Sequence, residues 1–333
     1  MNDSQAAPGQ GPTTEVTHRF VETNGIRMHI AEQGGGPLVV LLHGFPETWY
    51  SWRHQFAALA AAGYHVVAPD QRGYGRTDRP EAVEQYSQLH LVGDVVGLID
   101  ALGEEQAVLV GHDWGSPVAW NTALLRPDRV RGIAALGLPY LPRGPVSALA
   151  GMTQGLGPGF YMNHLQQPGV ADAELARDPR AGVLRVFQWG FGDSPQVAAP
   201  TLPLVPEGGS FADLLPEAGA LPDWLTEADL DVYAADFART GFTGGLNWWR
   251  TMELSWELTA PWQGAPMTTP AVYLYGERDG SVQLPGLDQL IANLQVFVPN
   301  LTRTVVLPGV GHWTQQERPD EVSAELLKFL GGL

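Results

Sequence analysis

The sequence of 333 residues contains no cysteine, which excludes disulfide bonds, thiolate metal sites and cysteine nucleophiles. Cationic side chains are also scarce: 19 lysines and arginines stand against 36 aspartates and glutamates, a formal net charge of -17. Because this charge repels nucleic acid and anionic lipid surfaces, we expect a small neutral or cationic partner. No apolar run reaches the roughly 18 residues of a membrane span, and the first residues do not resemble a signal peptide. We therefore expect no membrane partner and a cytoplasmic location.

Apolar runs alternate with helix-like stretches through much of the chain. Residues 37–42 and 106–110 are continuous apolar runs, which indicate strands covered on both faces, and helical patterns at 52–62 and 86–102 separate the strands. Asn24-Gly25 lies between two alternating runs and predicts a hairpin turn. This order predicts an α/β fold with a mostly parallel, doubly wound sheet and right-handed crossovers.

The alternation stops after a strand-like run that ends at residue 138. The segment 139–262 opens with a stretch rich in glycine and proline, then has helical pieces and six tryptophans but no buried strand run. Strand character returns at 271–275. We therefore predict a core made of residues 15–138 and 263–333, an inserted helical cap at 139–262 and a flexible tail at 1–14.

Gly111-His112-Asp113-Trp114-Gly115 stands between a predicted strand and a predicted helix at 116–125. Small residues two positions either side of the central residue allow the tight turn that lifts a nucleophile to a helix N-terminus. A carboxylate at the centre is suited to displacing a leaving group from saturated carbon and forming an alkyl ester. Asp113 is therefore the candidate nucleophile; the plainer alternative is a helix-capping aspartate.

A nucleophile of this kind needs a base for water and an acid that orients the base. His312 lies in the loop after the last predicted strand, and Asp279 lies in the loop after the strand before it. Both loops follow strands at the carboxyl edge of the sheet, as Asp113 does, so the three side chains are expected to meet there. Glu277, two residues before Asp279, is a competing acid.

Two further motifs carry a resemblance: His43-Gly44-Phe45-Pro46 and Gly311-His312-Trp313-Thr314-Gln315. Together with the turn at Asp113 they make the chain similar to epoxide hydrolases of the α/β-hydrolase fold, from about residue 16 onward. The resemblance implies that an epoxide is opened to a hydroxyalkyl ester on Asp113. It further implies that His312, held by Asp279 and not Glu277, activates the water that releases a vicinal diol, without metal or cofactor.

The same resemblance assigns groups around the nucleophile. Backbone N–H groups of Phe45 and Trp114 would stabilise the oxyanion. We also expect Trp114 and His43 among the substrate-binding residues, with His43 mainly structural through hydrogen bonds around that hole. Family members protonate the epoxide oxygen from the cap, usually with two tyrosines, and Tyr161 is the first candidate.

At the second cap position the family has Leu-Asn-Trp-Tyr-Arg, where this chain has Leu246-Asn247-Trp248-Trp249-Arg250. Indole N–H donates a hydrogen bond but keeps its proton at ordinary pH. Trp249 is therefore expected to bind and polarise the substrate oxygen while Tyr161 alone supplies the proton.

Two other functions stay open at this point. A haloalkane dehalogenase also uses an aspartate nucleophile, and Trp114 and Trp249 would then hold the halide; such enzymes commonly have asparagine where this chain has Phe45, and Tyr161 would have no role. A catalytically silent ligand-binding protein would need no set of Asp113, Asp279 and His312. We expect a small apolar epoxide as the substrate, and a homodimer is possible.

Overall fold

A computed structural model of the protein describes residues 13–194 and 202–333. A single eight-stranded sheet has the order β1-β2-β4-β3-β5-β6-β7-β8. β1 pairs antiparallel with β2 and β2 antiparallel with β4, whereas the other neighbours are parallel. The strands are β1 (Thr13–Thr23), β2 (Ile26–Gly34), β3 (Leu38–Leu42), β4 (His65–Pro69), β5 (Ala107–His112), β6 (Val130–Leu136), β7 (Ala271–Gly276) and β8 (Leu301–Leu307).

Helices connect the strands and flank the sheet. Those of the described ranges are α1 (Gln55–Ala61), α2 (Gln88–Ala101), α3 (Gly115–Leu125), α4 (Ala148–Leu156), α5 (Tyr161–Leu165), α6 (Val170–Ala176), α7 (Pro179–Gly190), α8 (Phe211–Leu214), α9 (Glu227–Thr240), α10 (Thr243–Arg250), α11 (Met252–Leu258), α12 (Leu287–Ala292), α13 (Leu294–Phe297), α14 (Thr314–Glu317) and α15 (Pro319–Leu330). None of these helices is long and apolar enough to cross a membrane.

The inner strands are buried on both faces, which explains their unbroken apolar runs. In β3, Val40 packs in one core cluster with side chains of α2 and α3, while Val39 packs in a second cluster with side chains of α1 and α15. Successive side chains of a strand point to opposite faces, so helices on both faces are needed to cover them. The predicted α/β fold with a mostly parallel, doubly wound sheet is confirmed.

The segment between β6 and β7 contains α4 to α11 and, among its described residues, contributes no strand to the sheet. We call residues 139–262 the cap segment. Its glycine- and proline-rich start contains a helix that the sequence pattern did not indicate, α4, whose first turn is capped by the Ser147 hydroxyl accepting from the N–H of Ala150. The predicted tail at 1–14 lies outside the described residues, apart from positions 13 and 14, which begin β1.

Candidate active site

Asp113 occupies a strained turn between β5 and α3. Its backbone has φ 49°, a left-handed conformation that is uncommon for residues other than glycine. The turn closes when the Ser116 N–H donates to the Asp113 carbonyl at 2.9 Å. A Cβ on Gly111 would overlap the carbonyl of Gly115, and one on Gly115 would overlap the carbonyl of Leu42. Both glycines are therefore required by the turn, as the sequence motif indicated.

The two oxygens of the Asp113 carboxylate have different surroundings. Oδ1 accepts a hydrogen bond from the N–H of Phe45 at 2.9 Å, whereas Oδ2 lies 3.4 Å from Nε2 of His312. Trp114 directly precedes α3, so its amide belongs to the helix end whose N–H groups have no acceptor within the helix. The side chain of Asp113 is 15% exposed, so part of it is accessible to a small molecule.

His312 is held on its far side by Asp279. Nδ1 of His312 lies 3.0 Å from both carboxylate oxygens of Asp279, which is 0% exposed. Ser281 donates to one of these oxygens through its N–H at 2.9 Å and its hydroxyl at 2.7 Å. Burial alone would raise the pKa of Asp279, but the charge of His312 and these hydrogen bonds hold it below its ordinary value. Glu277 is exposed and instead accepts from the N–H of Gly309.

The pKa of His312 lies well above its ordinary value of 6.5. Burial opposes the charged form, but the carboxylate of Asp279 and that of Asp113 together outweigh it. The two carboxylates on either side of the ring therefore favour its charged imidazolium form. Because Asp113 is one cause of the shift, neutralising Asp113 lowers the pKa of His312.

Tyr161 begins α5 in the cap segment. Its ring lies against Trp189 at 5.4 Å and against Phe211 at 6.0 Å between ring centroids. Removal from water and the charge of Asp113 raise the pKa of its phenol above the ordinary value of 10.0, while the indole N–H of Trp249 opposes them. The phenol is therefore close enough to Asp113 for that charge to raise its pKa, and it is protonated at neutral pH.

Trp249 lies between the two residues predicted for the oxyanion hole. Its ring centroid is 5.0 Å from that of Phe45 and 5.1 Å from that of Trp114, both edge-on, and the residue is 6% exposed. Its Nε1 makes no hydrogen bond of ordinary geometry within the described residues, but the N–H is close enough to the Tyr161 oxygen to lower the pKa of that phenol. The indole N–H and the phenol hydroxyl therefore lie near each other, and the charge of Asp113 acts on the phenol.

The helix that carries Trp249 is fixed on both sides. Gly244 of α10 meets Gly73 of the core so closely that a Cβ on either would overlap the other's backbone, and the next turn donates the Trp248 indole N–H to the Arg72 carbonyl at 3.1 Å. Toward the cap, Arg250 donates to the Leu165 carbonyl of α5 at 3.2 Å. Core and cap therefore both determine where Trp249 lies.

Comparison with known proteins agrees with this geometry. A family model described as the alpha/beta hydrolase fold matches residues 37–199. The chain is 47% identical to epoxide hydrolase A of Mycobacterium tuberculosis over 95% of its own length and 98% of that protein's. It is 43% identical to epoxide hydrolase 1 of Siraitia grosvenorii, with the same coverage of 95% and 98%.

The chain belongs to the epoxide hydrolase family. Solved structures of the family superpose on nearly all of it: epoxide hydrolase A from Mycobacterium thermoresistibile has a TM-score of 0.89 at 48% identity, covering 96% of this chain and 99% of that one. An epoxide hydrolase from an endophytic Streptomyces has a TM-score of 0.90 at 46% identity, covering 95% and 96%. The resemblance drawn from the sequence motifs is confirmed.

In this family member His43 lies behind the site. It is 0% exposed, its Nδ1 donates to the Gly44 carbonyl at 2.9 Å, and its Nε2 accepts from the N–H of Gln71 at 3.0 Å. Burial lowers the pKa of the ring, which fits a neutral imidazole with one donor and one acceptor. The structural role expected for His43 fits these contacts, whereas neither nitrogen is left for a substrate.

A buried contact between His112 and Glu47 lies beneath the site and was not predicted from the sequence. Both ring nitrogens of His112 lie within hydrogen-bond distance of an oxygen: Oε2 of Glu47 at 2.7 Å and the His312 carbonyl at 2.8 Å. Burial would raise the pKa of Glu47, but His112 and a backbone N–H lower it to about 2. The sequence motifs did contain both residues, because Glu47 follows the Phe45 motif and His112 precedes the nucleophile.

The described residues contain no group of three or more His, Asp or Glu side chains that could hold a metal ion.

Proposed function

We propose that this protein hydrolyses an epoxide to a vicinal diol through a covalent ester on Asp113. One observation carries the proposal: the Asp113 carboxylate has one oxygen on the Phe45 amide at 2.9 Å and the other 3.4 Å from an imidazole that a buried carboxylate holds at 3.0 Å. A carboxylate with one oxygen bound and one free to attack, beside a ring that can later act on water, fits nucleophilic catalysis in two steps.

In the first step, Oδ2 of Asp113 attacks one ring carbon of the epoxide and the carbon–oxygen bond breaks. The released oxygen takes the proton of Tyr161, and the N–H of Trp249 stabilises the charge that develops on that oxygen. The products are a hydroxyalkyl ester and a phenolate. The imidazolium of His312 then returns a proton to Tyr161 through solvent.

The second step begins with a neutral His312. Esterification has removed the charge of Asp113, one of the causes that raised the pKa of His312, so the ring becomes a base. It takes a proton from water, the resulting hydroxide adds to the ester carbonyl, and the oxyanion lies at the amides of Phe45 and Trp114. Collapse expels the diol oxygen, which takes the carboxyl proton. Asp113 is again a carboxylate and His312 an imidazolium, so the cycle closes on one epoxide and one water.

The walls of the site favour an apolar substrate. Phe45, Trp114 and Trp249 form a continuous aromatic surface beside the nucleophile. Aromatic rings bind apolar groups by burial and by ring-to-ring contact. We therefore propose a small, neutral epoxide with an apolar substituent.

A substrate panel tests the proposal. Terminal and internal epoxides are assayed beside short bromo- and chloroalkanes, and each reaction is scored for diol and for halide. Diol formation from epoxides that is lost in the Asp113→Ala variant supports the proposal. Halide release from haloalkanes without diol formation would instead assign a dehalogenase, with Trp114 and Trp249 as halide donors. Tight binding of either class without turnover would indicate a ligand-binding protein.

A further inference from the structure

A buried carboxylate that the mechanism above does not use lies beside the loop of His312. Glu317, the last residue of α14, is 7% exposed. It accepts three backbone hydrogen bonds: Oε2 from the N–H of Gly311 at 3.0 Å and of Gly192 at 3.2 Å, and Oε1 from the N–H of Trp313 at 3.0 Å. Gly311 and Trp313 are the residues on either side of His312, whereas Gly192 belongs to the cap segment.

The backbones of the cap and of the His312 loop touch directly at this point. The His312 N–H donates to the carbonyl of Gly190, the last residue of α7, at 2.7 Å. A Cβ on Gly192 would lie 2.6 Å from the Gly311 nitrogen, and one on Gly190 would lie 2.9 Å from the His312 Cβ. Glycine is therefore required for this approach. The end of α7 and the loop of His312 form one hydrogen-bonded unit.

The charge of Glu317 has no ion-pair partner in the described part of the chain. Burial, and to a smaller extent the nearby carboxylate of Asp279, raise the pKa of Glu317 above its ordinary value, although the three backbone N–H groups act in the opposite direction. A buried, ionised carboxylate destabilises the fold unless hydrogen bonds satisfy its oxygens. Removing the acceptor would leave three N–H groups unpaired and release both neighbours of His312.

We propose that Glu317 is a positioning residue for His312, which clamps the loop of the histidine to the end of α7 in the cap. This inference rests on the proposed two-step function. The two steps use different elements: ring opening needs Asp113 and the two cap donors, whereas ester hydrolysis needs Nε2 of His312 placed against the bound water. A shift of the His312 backbone therefore slows ester hydrolysis selectively. Misplacement by about 1 Å can cost on the order of 10²-fold in rate.

The test is a single-turnover experiment on the full-length Glu317→Gln variant. Enzyme in excess over styrene oxide is quenched with acid at successive times, and intact-mass measurement follows the ester as it forms and decays. One amide oxygen replaces two carboxylate oxygens, so at least one of the three N–H groups loses its acceptor. We expect ester hydrolysis to slow at least about tenfold and ester formation to change less than about threefold, so that the ester accumulates.

Glu277→Gln is the matched control. Glu277 accepts from the N–H of Gly309 in the same loop at 2.9 Å, but from its exposed side. This variant is expected to keep both rates of the wild type. Thermal unfolding of each variant shows that it is folded, and Glu317→Ala, which removes all three acceptor contacts, serves as a second and stronger perturbation.

Each outcome either supports or overturns the proposed role of Glu317. Equal slowing of both steps, or a smaller fraction of active enzyme with unchanged rates, would show a merely structural residue and overturn the proposal. Unchanged ester hydrolysis in Glu317→Gln, or the same loss in Glu277→Gln, would overturn it as well. If the wild type forms no ester, the proposed function itself fails, and the role of Glu317 falls with it. If the wild type forms the ester and only the variant rates disagree, the clamp alone is wrong.

Discussion

The pairing of an indole with a phenol above Asp113 predicts an unequal division of labour in ring opening. Tyr161 supplies a proton and Trp249 supplies only a hydrogen bond, since indole does not ionise at ordinary pH. Replacing Tyr161 by Phe removes the general acid, which is worth about 10²- to 10⁴-fold. Replacing Trp249 by Phe removes a hydrogen bond to an oxygen that becomes charged, about 1.5–3 kcal/mol, or about tenfold to 150-fold in rate.

The assay is the rate of ester formation in single turnovers, followed by acid quench and intact mass. Tyr161→Phe should slow ester formation more than Trp249→Phe does, and ester hydrolysis should change little in either variant. Trp249→Tyr is the matched control, because it keeps a donor on α10 while it changes the ring. Thermal unfolding of the Trp249 variants separates lost packing against Phe45 and Trp114 from a lost donor.

The pH dependence of the same rate gives a second test. The proton donor must be protonated, and the pKa of Tyr161 is raised above 10.0 by its surroundings and by the charge of Asp113. Ester formation should therefore show no loss from ionisation of Tyr161 as the pH rises from neutral to 10. Ester formation at the wild-type rate in Tyr161→Phe would refute the reasoning, because the proton would then come from another group.

Four further predictions concern the nucleophile, the base and the buried charges. Asp113→Ala should abolish diol formation, and residual turnover above about a tenth of the wild type would remove Asp113 as the nucleophile. His312→Gln should form the ester and not release it, so the mass of the substrate should stay on the peptide that contains Asp113. The pKa of Glu47 is lowered from 4.5 to about 2, so its carboxylate stabilises the fold above pH 4.5 and loses this contribution as the pH falls toward about 2. The free energy of unfolding in urea should therefore fall less steeply with decreasing pH in Glu47→Gln than in the wild type. Parallel pH profiles of the two proteins would contradict this prediction. Arg72→Met should lower the free energy of unfolding, measured in urea, by about 3–5 kcal/mol, because it leaves Asp94 buried without the guanidinium 2.5 Å away. Arg126→Met is the control: it removes an exposed ion pair with Asp128, so the free energy of unfolding should change little.

Local sequence patterns were enough for the sheet and for the turn at Asp113. The run Leu38–Leu42 is apolar at every position, as a strand covered on both faces requires. Gly111 and Gly115 are fixed by backbone contacts within a few residues or with the adjacent strand, so a short motif records them. The expectation that Asp113, Asp279 and His312 lie together followed from the loops that leave β5, β7 and β8 at the same edge of the sheet.

The surroundings of Asp113, Asp279 and His312 depend on contacts between distant segments, which no periodic pattern records. The position of Trp249 is set by α10, which packs against the core at Gly73 and is hydrogen-bonded to both the core and α5. Glu317 lies in the conspicuous motif of His312, yet its three N–H partners include Gly192 of the cap, more than a hundred residues earlier in the chain. The buried pair of Glu47 and His112 joins two motifs that were each noticed for another residue. A buried polar side chain is suited to its position by the groups it contacts in the folded protein, and a single sequence does not show which groups those are.

A single turnover in water enriched in heavy oxygen tests the covalent ester most directly. Enzyme in excess converts its epoxide once, and the diol and the peptide that contains Asp113 are weighed separately. Attack of water on the ester carbonyl places the heavy oxygen in the Asp113 carboxyl group and leaves the first diol unlabelled. Heavy oxygen in the first diol, with none in the Asp113 peptide, would mean that water attacks the epoxide directly and would contradict the ester.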